Sequence, residues 1–320
     1  MKLIRDIVSV PAELRQSVAV LGNFDGVHLG HRALIECARS LAEQQGRPLL
    51  VVSFEPHPRR VLSRADLPEF RTMTLRQKFH ALADLGVGGL VALRFTRAFA
   101  ALTAEEFIDQ ILLAGLAVHT VVVGHDFCFG AHRQGHLATL QARSEFATLV
   151  IEPQVTEKAQ LYSSTAVRMA LAAGDCAAVR ENLGRNWSLS GRVQSGDQRG
   201  RTIGFPTANL PIRRVLTPRL GVYAVAARLG AERLEGIANI GIRPTFGGTV
   251  PRLEVHLFNF NRNIYGKRLT VELGQFIRPE QKFANLAELQ AQIAQDCRAA
   301  QNFLETNPPL FFAQTAELRS

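Results

Sequence analysis

The spacing of apolar residues changes class near residue 185, and that change dictates the architecture. Up to there, short apolar, β-branched runs at about 17–22, 48–54, 89–95, 118–123 and 148–152 alternate with stretches of 3.6-residue periodicity. The runs read as buried strands and the periodic stretches as amphipathic helices, two of them opened by capping boxes, Thr74 with Gln77 and Thr103 with Glu106. Alternating elements of this kind bury their apolar faces as a parallel sheet covered by helices. After a last helical stretch ending near Leu183-Gly184, short strands separated by glycine and proline turns follow, at about 187–193, 222–229, 234–240, 252–258 and 268–276. This spacing predicts a small antiparallel barrel. The closing stretch, with Leu286, Leu289, Ile293, Cys297 and Ala300 on one face, predicts a helix packed against it. The expected fold is an α/β domain over 1–185 followed by a small antiparallel β-barrel domain with a C-terminal helix over 186–320.

Composition narrows the class of function. With 47% hydrophobic residues in 320, the chain can fill two cores of ordinary domain size. Cys37, Cys128, Cys176 and Cys297 are far apart and form no Cys-x-x-Cys pair, which argues against a disulfide framework or a four-cysteine zinc site and for a reducing cytoplasm. Neither a signal-peptide core nor a membrane-length apolar run is expected. The net charge of +9 invites a nucleic-acid reading, but the arginines are scattered among acidic residues and aromatics reach only 7%. A basic surface that attracts small anionic substrates is the reading preferred, with no nucleic acid and no membrane as partner.

The first candidate site lies where a strand turns into a helix. The run Ser17-Val18-Ala19-Val20-Leu21 leads into Gly22-Asn23-Phe24-Asp25-Gly26-Val27-His28-Leu29-Gly30-His31, and a helical pattern continues through Leu34, Ile35, Ala38, Leu41 and Ala42 to Gly46. His28 and His31 thereby fall beside a helix N-terminus, where unpaired amides and the helix dipole favour phosphate, and the glycines let the backbone approach closely. An isolated histidine pair would read as surface or core residues; the glycine frame and the strand-to-helix setting favour a nucleotide phosphate. Two further polar clusters directly follow strands, Phe54-Glu55-Pro56-His57-Pro58 and Gly124-His125-Asp126-Phe127, so all three can line one crevice at the carboxyl ends of the strands. A Walker loop is missing: Gly266-Lys267 is followed by Arg268 and lacks the upstream glycine.

His28-Leu29-Gly30-His31 resembles the His-x-Gly-His signature of nucleotidylyltransferases, and Tyr162-Ser163-Ser164-Thr165-Ala166-Val167-Arg168 resembles their late phosphate-binding motif. With Phe54 to Pro58 and Gly124 to Gly130 between them, they are similar to the adenylylating module of bacterial FAD synthetases. In the second half, Gly191-Arg192-Val193, Gly200-Arg201, Gly204-Phe205-Pro206-Thr207-Ala208-Asn209, Gly221-Val222-Tyr223, Asn239 to Phe246 and Arg278-Pro279-Glu280 resemble riboflavin kinase. The chain is identified as a member of the bifunctional riboflavin kinase/FAD synthetase family, a resemblance that spans nearly its whole length.

The resemblance implies a Rossmann-like nucleotidylyltransferase domain in front and two consecutive reactions. Riboflavin and ATP give FMN at the C-terminal module; FMN and a second ATP give FAD and pyrophosphate at the N-terminal one. It implies ATP contacts at Gly22, Asn23, Phe24, His28, Gly30, His31, Asp126, Ser164, Thr165 and Arg168, and a flavin-side loop at Pro56, His57 and Pro58. In the kinase it implies Glu254 as base, Thr207 and Asn209 as Mg2+ ligands, and Gly191, Arg201, Gly204, Pro206, Thr207, Asn209 and Arg278 as ATP or flavin contacts. Read from residue type alone, Glu254 is first a solvated strand carboxylate, Pro206 to Asn209 fits a capped turn equally well, and only the resemblance favours the catalytic reading of both; Ser164 and Thr165 also suit a helix cap. The family has Arg where this chain has Cys128. That change sets Cys128, His132 and His136 at a zinc-like spacing, but no fourth ligand is evident, so a nucleotide-site loop is preferred to a metal centre.

Overall fold

The computed structural model describes residues 1–63, 65, 67–155, 159–195, 204–245 and 248–307, the side chains of 243–249 excepted. Among the described residues the chain divides into two units, one built from Met1–Leu67 and Thr74–Ser163, the other from Pro68–Met73 and residues 164–307.

In the first unit six strands, β1 (Lys2–Ile4), β2 (Val18–Leu21), β3 (Leu49–Glu55), β4 (Gly89–Arg94), β5 (Thr120–Gly124) and β6 (Ala147–Ile151), form one sheet in the order β1-β4-β3-β2-β5-β6. Every pairing is parallel. Interleaved are helices α1 (Leu29–Gln44), α2 (Pro58–Leu62), α3 (Leu75–Ala83), α4 (Arg97–Ala100), α5 (Ala104–Glu106), which continues into a π-helical stretch Phe107–Gly115, and α6 (Leu137–Gln141). Thr74 and Thr103 cap α3 and α5 with the reciprocal side-chain bonds expected of capping boxes. Val18, Ala19, Val20, Leu50, Val51 and Val52 are fully buried, as strands covered on both faces must be. The edge strand β1, three residues long, is an addition to the expected set; a run that short carries no periodicity. β3 lies on one side of β2 and β5 on the other, so the strand order reverses there and the ligand crevice of such a sheet falls at the carboxyl ends of β2 and β5.

The second unit begins with α7 (Ser164–Ala173) and α8 (Cys176–Leu183), the latter ended by Gly184 in the left-handed conformation, φ +68°. Six antiparallel strands follow: β7 (Trp187–Arg192), β8 (Ala208–Pro211), β9 (Gly221–Leu229), β10 (Glu232–Thr245), β11 (Gly248–Leu257) and β12 (Arg268–Arg278). Their order is β7-β12-β9-β10-β11-β8, and the bridge between Gln194 and Asn209 brings the two ends together as a nearly closed barrel. Val167, Leu171, Val179 and Leu183 of α7 and α8 join its core with Leu189, Leu210, Tyr223, Val225, Ile240, Leu253 and Val271, so the packing groups these helices with the barrel, ahead of the change in periodicity at 185. The chain turns at Gly204, φ +88°, and at Ala208 enters β8, a strand that the sequence pattern does not separate from a turn.

The final helix, α9 (Leu286–Thr306), packs on β9 and β10 through Ala300 and Leu304 against Ala224 and Ile237, with Ile293, Cys297 and Phe303 at its margin. The expected apolar face is corrected at its start. Leu286 is 56% exposed, since the packing contacts begin only at Ile293.

Candidate active sites

The carboxyl end of β2 is wound tightly. Phe24 and Val27 adopt left-handed φ values of +48° and +43°, and a Cβ on Gly22 would stand 3.1 Å from the fully buried Phe24 ring. The loop delivers His28 to the N-cap of α1, where its Nδ1 accepts the His31 amide at 3.4 Å; a neutral His28 ring therefore carries its proton on Nε2. The two imidazoles stack, 3.5 Å between centroids and 26° between planes, and His31 also tilts against Phe24 at 5.1 Å. A Cβ on Gly30 would meet His28 Nδ1 at 3.2 Å and Tyr162 Cβ at 3.4 Å, so the stack needs glycine there. His31 is half-buried as a residue, but its Nδ1 is enclosed and has no hydrogen-bond partner among the described residues. Burial first, then the His28 and Lys78 charges, hold the His31 imidazole well below its ordinary range, so it is neutral near pH 7.

Lys78 is a feature that the sequence did not disclose. A lysine in an amphipathic helix ordinarily faces water, yet this one is 6% exposed, and its Nζ donates to the Asn23 carbonyl at 2.6 Å and to Ser53 Oγ at 3.1 Å. Elsewhere in this unit, Asp126 stands exposed just past β5, and Cys128 Sγ lies 3.4 Å from His136 Nδ1. Pro56 is exposed, and Pro58 opens α2, whose N-cap His57 accepts the Arg59 amide at 3.2 Å. The other residues of the late motif belong to the second unit. Ser164 begins α7, Thr165 is exposed, and Arg168 Nε donates to the Phe70 carbonyl at 2.9 Å with its guanidinium 5.6 Å from the Phe70 ring centre.

On the barrel, strand register assembles the second constellation. Asn209 of β8 lies opposite Glu254 of β11, which lies opposite Asn239 of β10. Directly opposed residues of antiparallel strands project from the same face. Their neighbours Leu210, Leu253, Val255 and Ile240 belong to the core, so this polar row is on the outer face. Asn209 is 6% exposed and Thr207 half-buried one residue before β8. Asn239 Nδ2 donates to Glu280 Oε1 at 3.4 Å, and a Cβ on Gly241 would stand 2.6 Å from that oxygen. Beside the row, His256 Nδ1 donates to the Pro206 carbonyl at 2.9 Å. Gly191 is on β7, where a Cβ would meet Leu210 at 3.3 Å, and Gly204 makes the exposed turn before β8. Arg201 lies outside the described residues. Arg278, at the end of β12, is held by the buried Asp296 of α9, Nη2 to Oδ2 at 2.7 Å and Nε to both oxygens at 3.0 Å. Asp296, Asn239 and Glu280 were not among the expected site residues; register sets Asn239 beside Glu254, the last helix brings Asp296 to Arg278, and Glu280 reaches Asn239 from two residues past Arg278.

Two family models match the chain, FAD synthetase over residues 10–166 and riboflavin kinase over 183–304. The bifunctional riboflavin kinase/FMN adenylyltransferase of Escherichia coli strain K12 is 44% identical over 313 residues, 97% of this chain and 100% of that protein. The chain belongs to this bifunctional family. The Bacillus subtilis member is 38% identical over 296 residues, covering 91% of this chain and 93% of that one. A crystal structure described as a macrolide-efflux protein from Streptococcus pneumoniae shares the architecture, with TM-score 0.85 and 31% identity over 94% of this chain and 98% of that one. Among the described residues no helix is long and apolar enough to cross a membrane. The Asn209–Glu254 row lies within the stretch matched by the kinase model, and the His28–His31 stack within that matched by the synthetase model.

Proposed function

We propose that the chain makes FAD in two steps: riboflavin and ATP give FMN and ADP at the barrel, then FMN and a second ATP give FAD and pyrophosphate at the N-terminal unit. The observation that carries this reading is the stacked His28–His31 pair on the N-terminus of α1, at the carboxyl end of β2, in a chain whose relatives are named for both activities.

For adenylyl transfer the acceptor is the FMN phosphate, ionised at neutral pH. Its oxygen attacks the α-phosphorus of ATP and the bond to the departing pyrophosphate breaks, so the protein needs to position and neutralise rather than to supply a base. Gly22, Asn23, Phe24, Gly30, His28 and His31 are the proposed phosphate cradle, the two imidazoles acting as hydrogen-bond donors. Asp126 is a proposed nucleotide contact, Pro56, His57 and Pro58 the flavin-side wall, and Ser164, Thr165 and Arg168 ligands of the leaving pyrophosphate.

For the kinase, Glu254 takes the proton of the terminal ribityl hydroxyl as its oxygen attacks the γ-phosphorus and ADP departs. Thr207 and Asn209 offer a hydroxyl and an amide oxygen, hard donors suited to Mg2+, and the pairing of Asn209 with Glu254 across β8 and β11 supports that choice. The ion, when bound, offsets negative charge on the phosphoryl oxygens. Gly191, Arg201, Gly204, Pro206 and Arg278 are the proposed surrounding contacts. Riboflavin, FMN and ATP are the proposed partners and the cytoplasm the proposed site of action, with the functional boundary between the two domains at residue 185.

The test is to incubate the protein with ATP and Mg2+ plus either riboflavin or FMN and to resolve the flavins by chromatography. FMN followed by FAD from riboflavin, and FAD from supplied FMN, is the expected result. No flavin product from a folded sample would refute the reading.

A further inference from the structure

We infer that Lys78 is a positioning residue of the adenylyl-transfer reaction, its buried ammonium anchoring the loop from Gly22 to His31 and supplying a fixed positive charge beneath it. This rests on the reading of the N-terminal unit as the FAD-forming site.

Three bonds form a closed triangle under the loop. Lys78 Nζ donates to the Asn23 carbonyl at 2.6 Å and to Ser53 Oγ at 3.1 Å, and the Ser53 hydroxyl donates to the same carbonyl at 3.1 Å. Two oxygen acceptors suit an ammonium enclosed at 6% exposure, and Ser53 is itself 1% exposed. The triangle seizes the peptide just before Phe24, whose left-handed φ of +48° seats its ring against Gly22 and beside His31. A side chain other than glycine holds that conformation only where its surroundings over-determine it, and the anchored Asn23 carbonyl is one such constraint. The ammonium is also close enough to the His31 imidazole to help keep it uncharged. Lys78 and the N-terminal end of α1 therefore supply positive charge at this phosphate site beside a neutral His31.

The experiment is Lys78→Met, which keeps length and apolar stem while removing charge and donors, in the full chain with both reactions measured on one sample. We expect kcat/KM for ATP in FAD formation to fall at least about tenfold, with a raised KM for ATP, while riboflavin phosphorylation stays within about twofold. FAD formation within about twofold of wild type in both kcat and KM would overturn the inference. So would a lowered melting temperature with KM for ATP unchanged, the signature of a lysine that only props the fold. If Lys78→Met does not fold, Ser53→Ala keeps the charge and removes two sides of the triangle. A two- to fivefold fall in kcat for FAD formation is then expected, and wild-type kcat would overturn the anchoring. A wild-type protein that forms no FAD from FMN would instead refute the reading of the site.

Discussion

Glu272 makes the C-terminal unit sensitive to pH, and Glu272→Gln should remove that sensitivity. The residue sits in β12 opposite Ser188 and Ala226, 3% exposed. Burial pushes its carboxyl up to about 8 from an ordinary 4.5, against the opposing pull of the Asn186 amide at 3.4 Å and of Arg228, Arg185 and Arg233. The folded state thus holds a proton that the unfolded chain releases. Stability from this group is fully present below pH 4.5, is lost as pH rises to about 8 and is level beyond. At about 1.4 kcal/mol per pH unit, the span gives roughly 3–5 kcal/mol. The amide introduced by Glu272→Gln would keep the shape and an acceptor for Asn186 but titrates nowhere in this range. The stability of Glu272→Gln relative to wild type should therefore rise by that amount between pH 4.5 and about pH 8, with all other titrations cancelling in the difference. Trp187, the single tryptophan, is buried in β7 with its indole N–H on the Thr72 carbonyl at 2.6 Å, so its fluorescence during urea unfolding reports this unit. A difference between variant and wild type that stays constant across the pH range would refute the argument.

Glu254→Gln should reduce riboflavin phosphorylation by at least about a hundredfold while FMN supplied to the variant is still adenylylated, read from the same flavin chromatography. His28→Ala and His31→Ala should give the reciprocal result, FMN without FAD; equal loss of both activities in a folded variant would contradict the division of labour. Asp296→Ala leaves the Arg278 guanidinium without its carboxylate beneath α9 and should cost about 3–5 kcal/mol, measured by urea unfolding with Trp187 as probe. Gly130→Ala places a Cβ 2.7 Å from the Ala104 backbone nitrogen at φ +72°, and should destabilise the N-terminal unit by more than about 1 kcal/mol, seen as an earlier loss of helical circular dichroism.

Much of the fold was legible because it is written locally. Five of the six parallel strands and the capping boxes at Thr74 and Thr103 depend on neighbours a few residues away. β1 escaped because Lys2-Leu3-Ile4 is too short to show a period, and β8 because Pro206 to Asn209 satisfies turn chemistry as well as strand chemistry. The terminal helix was predicted with Leu286 on its buried face; whether a helical apolar residue is covered depends on where the partner sheet ends, which periodicity does not record.

The candidate sites divide along the same line. The glycine spacing around His28 and His31 and the strand-to-helix transition were sufficient to set two imidazoles at a helix N-terminus, since both follow from backbone conformation within about ten residues. The ammonium of Lys78 under Asn23 comes from 55 positions away, and only the packing of α3 brings it there. The same holds on the barrel, where antiparallel register alone aligns Asn209, Glu254 and Asn239, and the last helix alone brings Asp296 to Arg278. Local rules specify which element a residue enters and which way the strand or helix faces; which distant charges meet is set by burial, because only the closed core removes the water that would otherwise screen them.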